Sequence, residues 1–221
     1  MQYTDKELQV IVDKVINSLK KTDRVVCSGK GDIPIGISNR HIHLSREHID
    51  ILFGKGYELT PIKDLSQPGQ FACKEQLTII GPSMRAIEGV RVLGPARKAS
   101  QVEISRTDSY VLKVKPPVRE SGDIAGSSPV TIIGPKGVVN LTEGCIIANR
   151  HIHMSEEEGK AFGVKDGEYA DVEICGERRS LFYDVQIRVH KDFRLEMHID
   201  TDDANAAGVG NGFMATLLKR S

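Results

Sequence analysis

One seven-residue motif occurs twice, and it constrains the fold more than any other feature of the chain. Asn39-Arg40-His41-Ile42-His43-Leu44-Ser45 returns half the chain further on as Asn149-Arg150-His151-Ile152-His153-Met154-Ser155. A motif that recurs at this distance marks a duplicated supersecondary unit, and two such copies can face each other across a shared surface. Each copy follows a β-type run, Ile33 to Ile37 or Cys145 to Ala148. Each also precedes a segment that opens with a serine able to cap a helix, Ser45 to Phe53 or Ser155 to Phe162. A second repeat, Thr78-Ile79-Ile80-Gly81-Pro82 and Thr131-Ile132-Ile133-Gly134-Pro135, has a shorter spacing and reads as a recurring hairpin design.

Between these landmarks the signals are short β runs bounded by Gly and Pro. Val90 to Leu93, Gln101 to Ile104, Val138 to Leu141, Tyr169 to Ile174, Val185 to Val189 and Arg194 to His198 all read as strands, and Asp202 to Ala207 as a brief helix. Many strands with little helix predict a mainly β fold of barrels or sandwiches, and the length suits two compact barrels. Residues 4 to 20 differ: Leu8, Ile11, Val12, Val15, Ile16 and Leu19 recur at helical intervals behind a Thr4/Glu7 capping box. The polar stretch from Lys21 to Asp32 then reads as a linker. The helix is either a detachable tag or a terminal helix docked on its own domain.

Thirty basic residues balance thirty acidic ones, so no global field gathers nucleic acid or an anionic membrane surface. No apolar run approaches the length of a membrane span. The four cysteines, Cys27, Cys73, Cys145 and Cys175, show no C-x-x-C spacing, and no secretory leader opens the chain. A reducing, cytoplasmic setting fits best.

In extended backbone, residues two apart point to one side, so His41 with His43, and His151 with His153, each aim two imidazoles at a common point. Two nitrogens make half a metal site, and four of the seven histidines fall in these pairs. A third ligand is needed, and Glu103 and His198 on alternating strands are the candidates, with Glu196 on the His198 face as an orienting carboxylate. His48 and His190 lack partners at ligand spacing and read as surface residues. Arg91, Arg97 and Lys98 cluster around a Gly-Pro turn, either as an anion cradle or as a solvated basic loop. Neither a Walker A loop, a G-x-G-x-x-G after a strand, nor a G-x-S-x-G elbow is present.

With these residues in view the chain resembles the PduL-type phosphotransacylases of propanediol-utilisation bacterial microcompartments. The resemblance covers about residues 33 to 208. It is carried by both histidine motifs, Tyr57-Glu58-Leu59-Thr60-Pro61, Leu65-Ser66-Gln67-Pro68-Gly69-Gln70-Phe71, Leu93-Gly94-Pro95-Ala96-Arg97, the segment from Gln101 to Asp108, and Glu196-Met197-His198-Ile199-Asp200-Thr201-Asp202. It implies two β-barrels capped by short helices, one from residues 25–39 with 149–221 and the other from 40–148, with the metal site at their junction. Residues 1–24 form the helix and linker. It further implies two zinc ions, one on His41, His43 and Glu103 and the other on His151, His153 and His198. Arg97 matches the family's phosphate binder, and Arg91 and Asn205 sit where coenzyme A contacts are expected.

The activity implied is exchange of coenzyme A for phosphate on a short acyl-CoA, propanoyl-CoA or acetyl-CoA. Residues 4 to 20 resemble an encapsulation peptide for shell or cargo proteins of the microcompartment lumen. Two other readings remain open at this stage. A binuclear metal hydrolase acting on phosphoesters uses similar parts, and a noncatalytic metal-stabilised scaffold needs no substrate at all.

Overall fold

A computed structural model describes Val12 and residues 32–218. The expected helix over residues 4 to 20 and its linker thus lie outside the described residues, apart from Val12 and Asp32. The described chain is mainly β, as the sequence predicts, with two closed six-stranded barrels and four short helices. Among the described residues no helix is long and apolar enough to cross a membrane.

The central barrel uses β2 (His41–Ser45), β4 (Phe71–Ile80), β5 (Ala86–Arg97), β6 (Gln101–Glu103), β8 (Ser128–Ile133) and β9 (Val138–Ala148). Its strands run in the order β4-β5-β2-β6-β9, and β8 closes the ring by pairing with both β4 and β9. Two edge strands, β3 (Pro61–Asp64) and β7 (Val118–Arg119), add to β4 and β9. The two Thr-Ile-Ile-Gly-Pro segments meet here as antiparallel neighbours, with Ile79 opposite Ile132.

The other barrel uses β1 (Ile33–Ser38), β10 (His151–Met154), β11 (Tyr169–Ile174), β12 (Ser180–Val189), β13 (Glu196–Asp200) and β14 (Met214–Leu218), in the closed order β1-β13-β10-β12-β11-β14. The two rings are copies of one pattern. Each motif strand lies antiparallel to one neighbour (β2 to β6, β10 to β13) and parallel to the other (β2 to β5, β10 to β12). The strand preceding each motif belongs to the opposite ring. β1 leads into β2 yet pairs in parallel with β13, and β9 leads into β10 yet pairs in parallel with β6. The chain therefore crosses between barrels at Asn39-Arg40 and again at Asn149-Arg150.

Alternation explains why the motifs can serve two purposes. Ile42 and Leu44 point into the core of the central barrel, and Ile152 and Met154 into that of the other, all fully buried. The intervening histidines face away from those cores. The apolar core of each ring is separate: one cluster runs from Ile42 to Cys145, and the other joins Ile33 and Ile35 to residues from Ile152 onward.

The helices follow their caps. α1 (Arg46–Phe53) starts at Ser45, whose hydroxyl accepts from the His48 backbone N–H. α3 (Glu156–Phe162) starts with a Ser155/Glu158 capping box, and α4 (Thr201–Ala207) is capped by Asp200. α2 (Arg106–Leu112), opened by a Ser105/Asp108 capping box, was not anticipated from the sequence. Cys73 and Cys145 are buried free thiols. Cys175 is in a disulfide, a bond that cysteine spacing does not announce.

Candidate metal centre

Strand register brings each proposed third ligand beside its histidine pair. His41 stands directly opposite Glu103 on β6, and His151 directly opposite His198 on β13. Within the groups His41/His43/Glu103 and His151/His153/His198, the candidate ligand atoms lie within 4.8 Å of one another. Nε2 of His41 is 3.4 Å from one Glu103 oxygen and Nε2 of His43 is 3.9 Å from the other. In the all-histidine group the ring centroids are 4.6 to 5.0 Å apart. Five of the six side chains are buried and His198 is half-buried.

The protein sets the tautomer of the leading histidine in each group. Nδ1 of His41 donates to the Asn39 carbonyl at 2.8 Å, and Nδ1 of His151 donates to the Asn149 carbonyl at the same distance. A carbonyl oxygen only accepts, so Nδ1 carries a proton in both rings and Nε2 is the nitrogen left to face the ligand group. His198 is held by Glu196 at 2.5 Å, and Ser66 donates to the same carboxylate from the central barrel. Glu196 thus lies on the His198 face of β13, within hydrogen-bond reach of that ring.

Burial makes most of these rings neutral. It pushes His43 down to about 3, His151 to about 4 and His153 to about 2, in each case helped by neighbouring imidazoles. His41 goes the other way. Burial opposes its protonation, but the adjacent Glu103 carboxylate outweighs burial and raises it. Burial likewise opposes charge on Glu103, yet His41 and His43 hold it far below the usual carboxylate range. Nδ1 of His43 and Nδ1 of His153 are buried without any hydrogen-bond partner, one in each group. Clustered neutral imidazoles with unshared lone pairs, one carboxylate and two unsatisfied buried rings fit a divalent cation in each group.

Both groups open into one cavity of about 850 Å³. Arg97 reaches it, with its guanidinium donating to the Ser121 hydroxyl at 2.9 Å, and that hydroxyl donates to Glu103 at 2.8 Å. Gln101 completes this corner by donating to Glu103 at 2.6 Å. Arg188, which the sequence did not single out, lines the same space. It stands opposite His153 on β12, where the alternating Val185-Gln186-Ile187-Arg188-Val189 looks like any strand with one wet face. Burial chiefly, with Arg188 nearby, lowers the basicity of Arg97, although Glu103 opposes this.

The remaining candidates divide. Arg91 lines the cavity, but its guanidinium donates to the Cys73 and Lys74 carbonyls at 2.9 and 3.0 Å. Lys98 and Asn205 are exposed and outside the cavity lining, so no cradle of three cations forms around the Gly-Pro turn. His190 is exposed, whereas His48 is half-buried and bonded through Nδ1 to the Ser100 hydroxyl at 2.7 Å, which corrects its reading as a plain surface residue.

Comparison with known proteins decides the family. A family model described as phosphate propanoyltransferase matches residues 34–210. The chain belongs to the phosphate propanoyltransferase family. It is similar to the phosphate propanoyltransferase of Lachnoclostridium phytofermentans, at 53% identity over 97% of this chain and 99% of that one. The phosphate propanoyltransferases of Thermotoga maritima and Clostridioides difficile are 50% and 45% identical, over 95% and 97% of this chain and 100% and 98% of theirs. As a member of this family the chain is a transferase, a phosphotransacylase.

Proposed function

We propose that this protein interconverts propanoyl-CoA and phosphate with propanoyl phosphate and CoA, using two divalent cations, and that zinc is the resident metal. The observation that carries the reading is that two groups of three ligands open into one cavity that Arg97 and Arg188 also line. His41, His43 and Glu103 hold one cation; His151, His153 and His198 hold the other. Bound there, the pair supplies Lewis acidity toward the thioester oxygen and a soft position suited to sulfur.

The chain's own side chains do the rest. Arg97 and Arg188 bring phosphate in and neutralise its charge, with Ser121 fixing the Arg97 fork. A phosphate oxygen attacks the thioester carbonyl carbon, the carbon–sulfur bond breaks, and the thiolate departs with the electron pair. This route needs no serine or cysteine nucleophile, consistent with Cys73 and Cys145 lying inside a core where burial raises their thiols to about 11 and about 12. Arg91 and Asn205 are assigned to the longer reach of coenzyme A. Acetyl-CoA is a second substrate under the same chemistry.

Five imidazoles and one carboxylate make a donor set better suited to sulfur than to clamping phosphoesters, which disfavours the hydrolase reading. The test supplies propanoyl-CoA and phosphate and follows free thiol before and after chelation and zinc return. Turnover lost on chelation and restored by zinc is expected; full turnover in metal-free protein would overturn the metal assignment. Arg97→Ala is expected to lower kcat/KM by about a hundredfold with metal content unchanged.

We also assign residues 4 to 20 to encapsulation, through the apolar stripe Leu8, Ile11, Val12, Val15, Ile16 and Leu19 docking on microcompartment shell or cargo. Deleting residues 1 to 20 is expected to leave transfer intact and to disperse a fluorescent fusion from compartments. Loss of catalysis, or unchanged localisation, would reject this.

A further inference from the structure

The residue between the asparagine and the first histidine of each motif is an arginine, and the two arginines make the same bond in the two barrels. Arg40 grips Asp108 with Nε at 2.9 Å and a terminal nitrogen at 2.7 Å, and Arg150 grips Asp203 with Nε at 2.7 Å and a terminal nitrogen at 2.9 Å. Both are two-pronged carboxylate forks, the strongest and most directional form of this pair. The aspartates are equivalent as well. Asp108 follows Glu103 by five residues and Asp203 follows His198 by five, each at the third position of a helix whose cap, Ser105 or Asp200, accepts from its backbone N–H.

What the arginine pins is specific. The peptide bond joining Asn39 to Arg40 carries the carbonyl that receives Nδ1–H of His41, and the Asn149–Arg150 peptide does the same for His151. Each fork therefore joins two parts of one ligand set. At one end it anchors the peptide that sets the tautomer and aim of the leading histidine. At the other it anchors the helix start that immediately follows the third ligand. These peptides are also where the chain crosses between barrels, outside any strand, although Asn149 N–H donates to the Arg119 carbonyl and the Arg150 carbonyl accepts from Gln186 N–H on either side of the second one.

We propose that Arg40–Asp108 and Arg150–Asp203 are positioning pairs, each setting the cation affinity of its own ligand group independently of the other. The proposal rests on the two-cation reading above. An imidazole oriented by its outer hydrogen bond binds metal more tightly, and loss of such support typically costs about 10- to 100-fold in affinity. A fork that served only to hold the fold together would instead affect both groups alike, or neither.

The experiment measures zinc stoichiometry and two dissociation constants on the full chain by competition with a chromophoric chelator, for the wild type, Asp108→Asn and Asp203→Asn. Both substitutions are isosteric, and Asp108→Asn keeps an oxygen to accept from the Ser105 backbone N–H. Arg40→Lys and Arg150→Lys, which keep the charge and remove the fork, serve as a second set. The expected result is two zinc ions in the wild type and, in each variant, one constant weakened about tenfold or more with the other unchanged. Changes at the first group must track Asp108 and Arg40, identified by double variants with Glu103→Gln, which leave only the second group to titrate. Two tight sites in every variant, or parallel weakening of both, overturns the positioning role while leaving the two-cation reading intact. A wild type that binds no zinc overturns both.

Discussion

Stripped of cations, each ligand group leaves buried rings whose protonation differs between the folded and unfolded chain. His43, His151 and His153 have folded values near 3, 4 and 2, below the ordinary histidine value of about 6.5. Below about pH 6.5 the unfolded chain therefore takes up protons that the folded chain refuses, and stability falls as pH falls, by up to about 1.4 kcal/mol per group per pH unit. His41 has the opposite sign, because its raised value adds stability that is complete at low pH and is lost as pH rises through the folded value. Three groups outweigh one. Urea unfolding of the chelated protein should give a lower midpoint at about pH 5.5 than near neutrality; an unchanged or higher midpoint would contradict the neutral-ring assignment. The histidine pairs were legible in the sequence because backbone alternation alone puts residues two apart on one side. Arg188 and Ser121 were not legible, since one lies on an ordinary alternating strand and the other in a loop that only tertiary contact carries to Glu103.

At the scale of strands and helices, the two Gly-Pro hairpins show why their sequence recurs. A side chain at Gly81 would meet the Leu112 carbonyl oxygen at 2.0 Å, and one at Gly134 would meet the Leu52 carbonyl at 2.7 Å. Leu112 and Leu52 lie at the C-terminal ends of α2 and α1, so each hairpin seats a helix end against bare backbone. Gly81→Ala should then cost about 3 kcal/mol, since a carbonyl in a helix end cannot swing aside as a flexible side chain would. Gly210→Ala, with open space around it, is the control and should stay within about 0.5 kcal/mol. Equal denaturation midpoints for the two variants would refute this account. Most strands were legible from β runs between Gly and Pro. The edge strands β3 and β7 were not, because their exposed residues carry no alternation to read.

Across the whole molecule, the duplication extends further than the repeated motif. Glu103 and His198 occupy equivalent positions opposite His41 and His151, yet the residue types differ and the intervening chain is longer in the first copy, so no sequence repeat links them. The central barrel contains all its strands and its whole apolar cluster between residues 41 and 148. A fragment spanning residues 40–148 is expected to fold alone, to bind one zinc ion through His41, His43 and Glu103, and to transfer no acyl group. Circular dichroism and zinc titration check this, and an unfolded fragment would show that the second barrel is needed to support the first.

The placement of β1 bears on how the molecule is made. Ile35 pairs with Met197 and Ile33 with Ala215, so β1 finds its neighbours on the far side of the whole central barrel in sequence. The central barrel can close its ring during synthesis, while residues 33–38 must wait with unsatisfied edges until β13 and β14 have been made. The strand that carries His198 thus gains its neighbour from chain made before the central barrel, so the second ligand group is completed after the first.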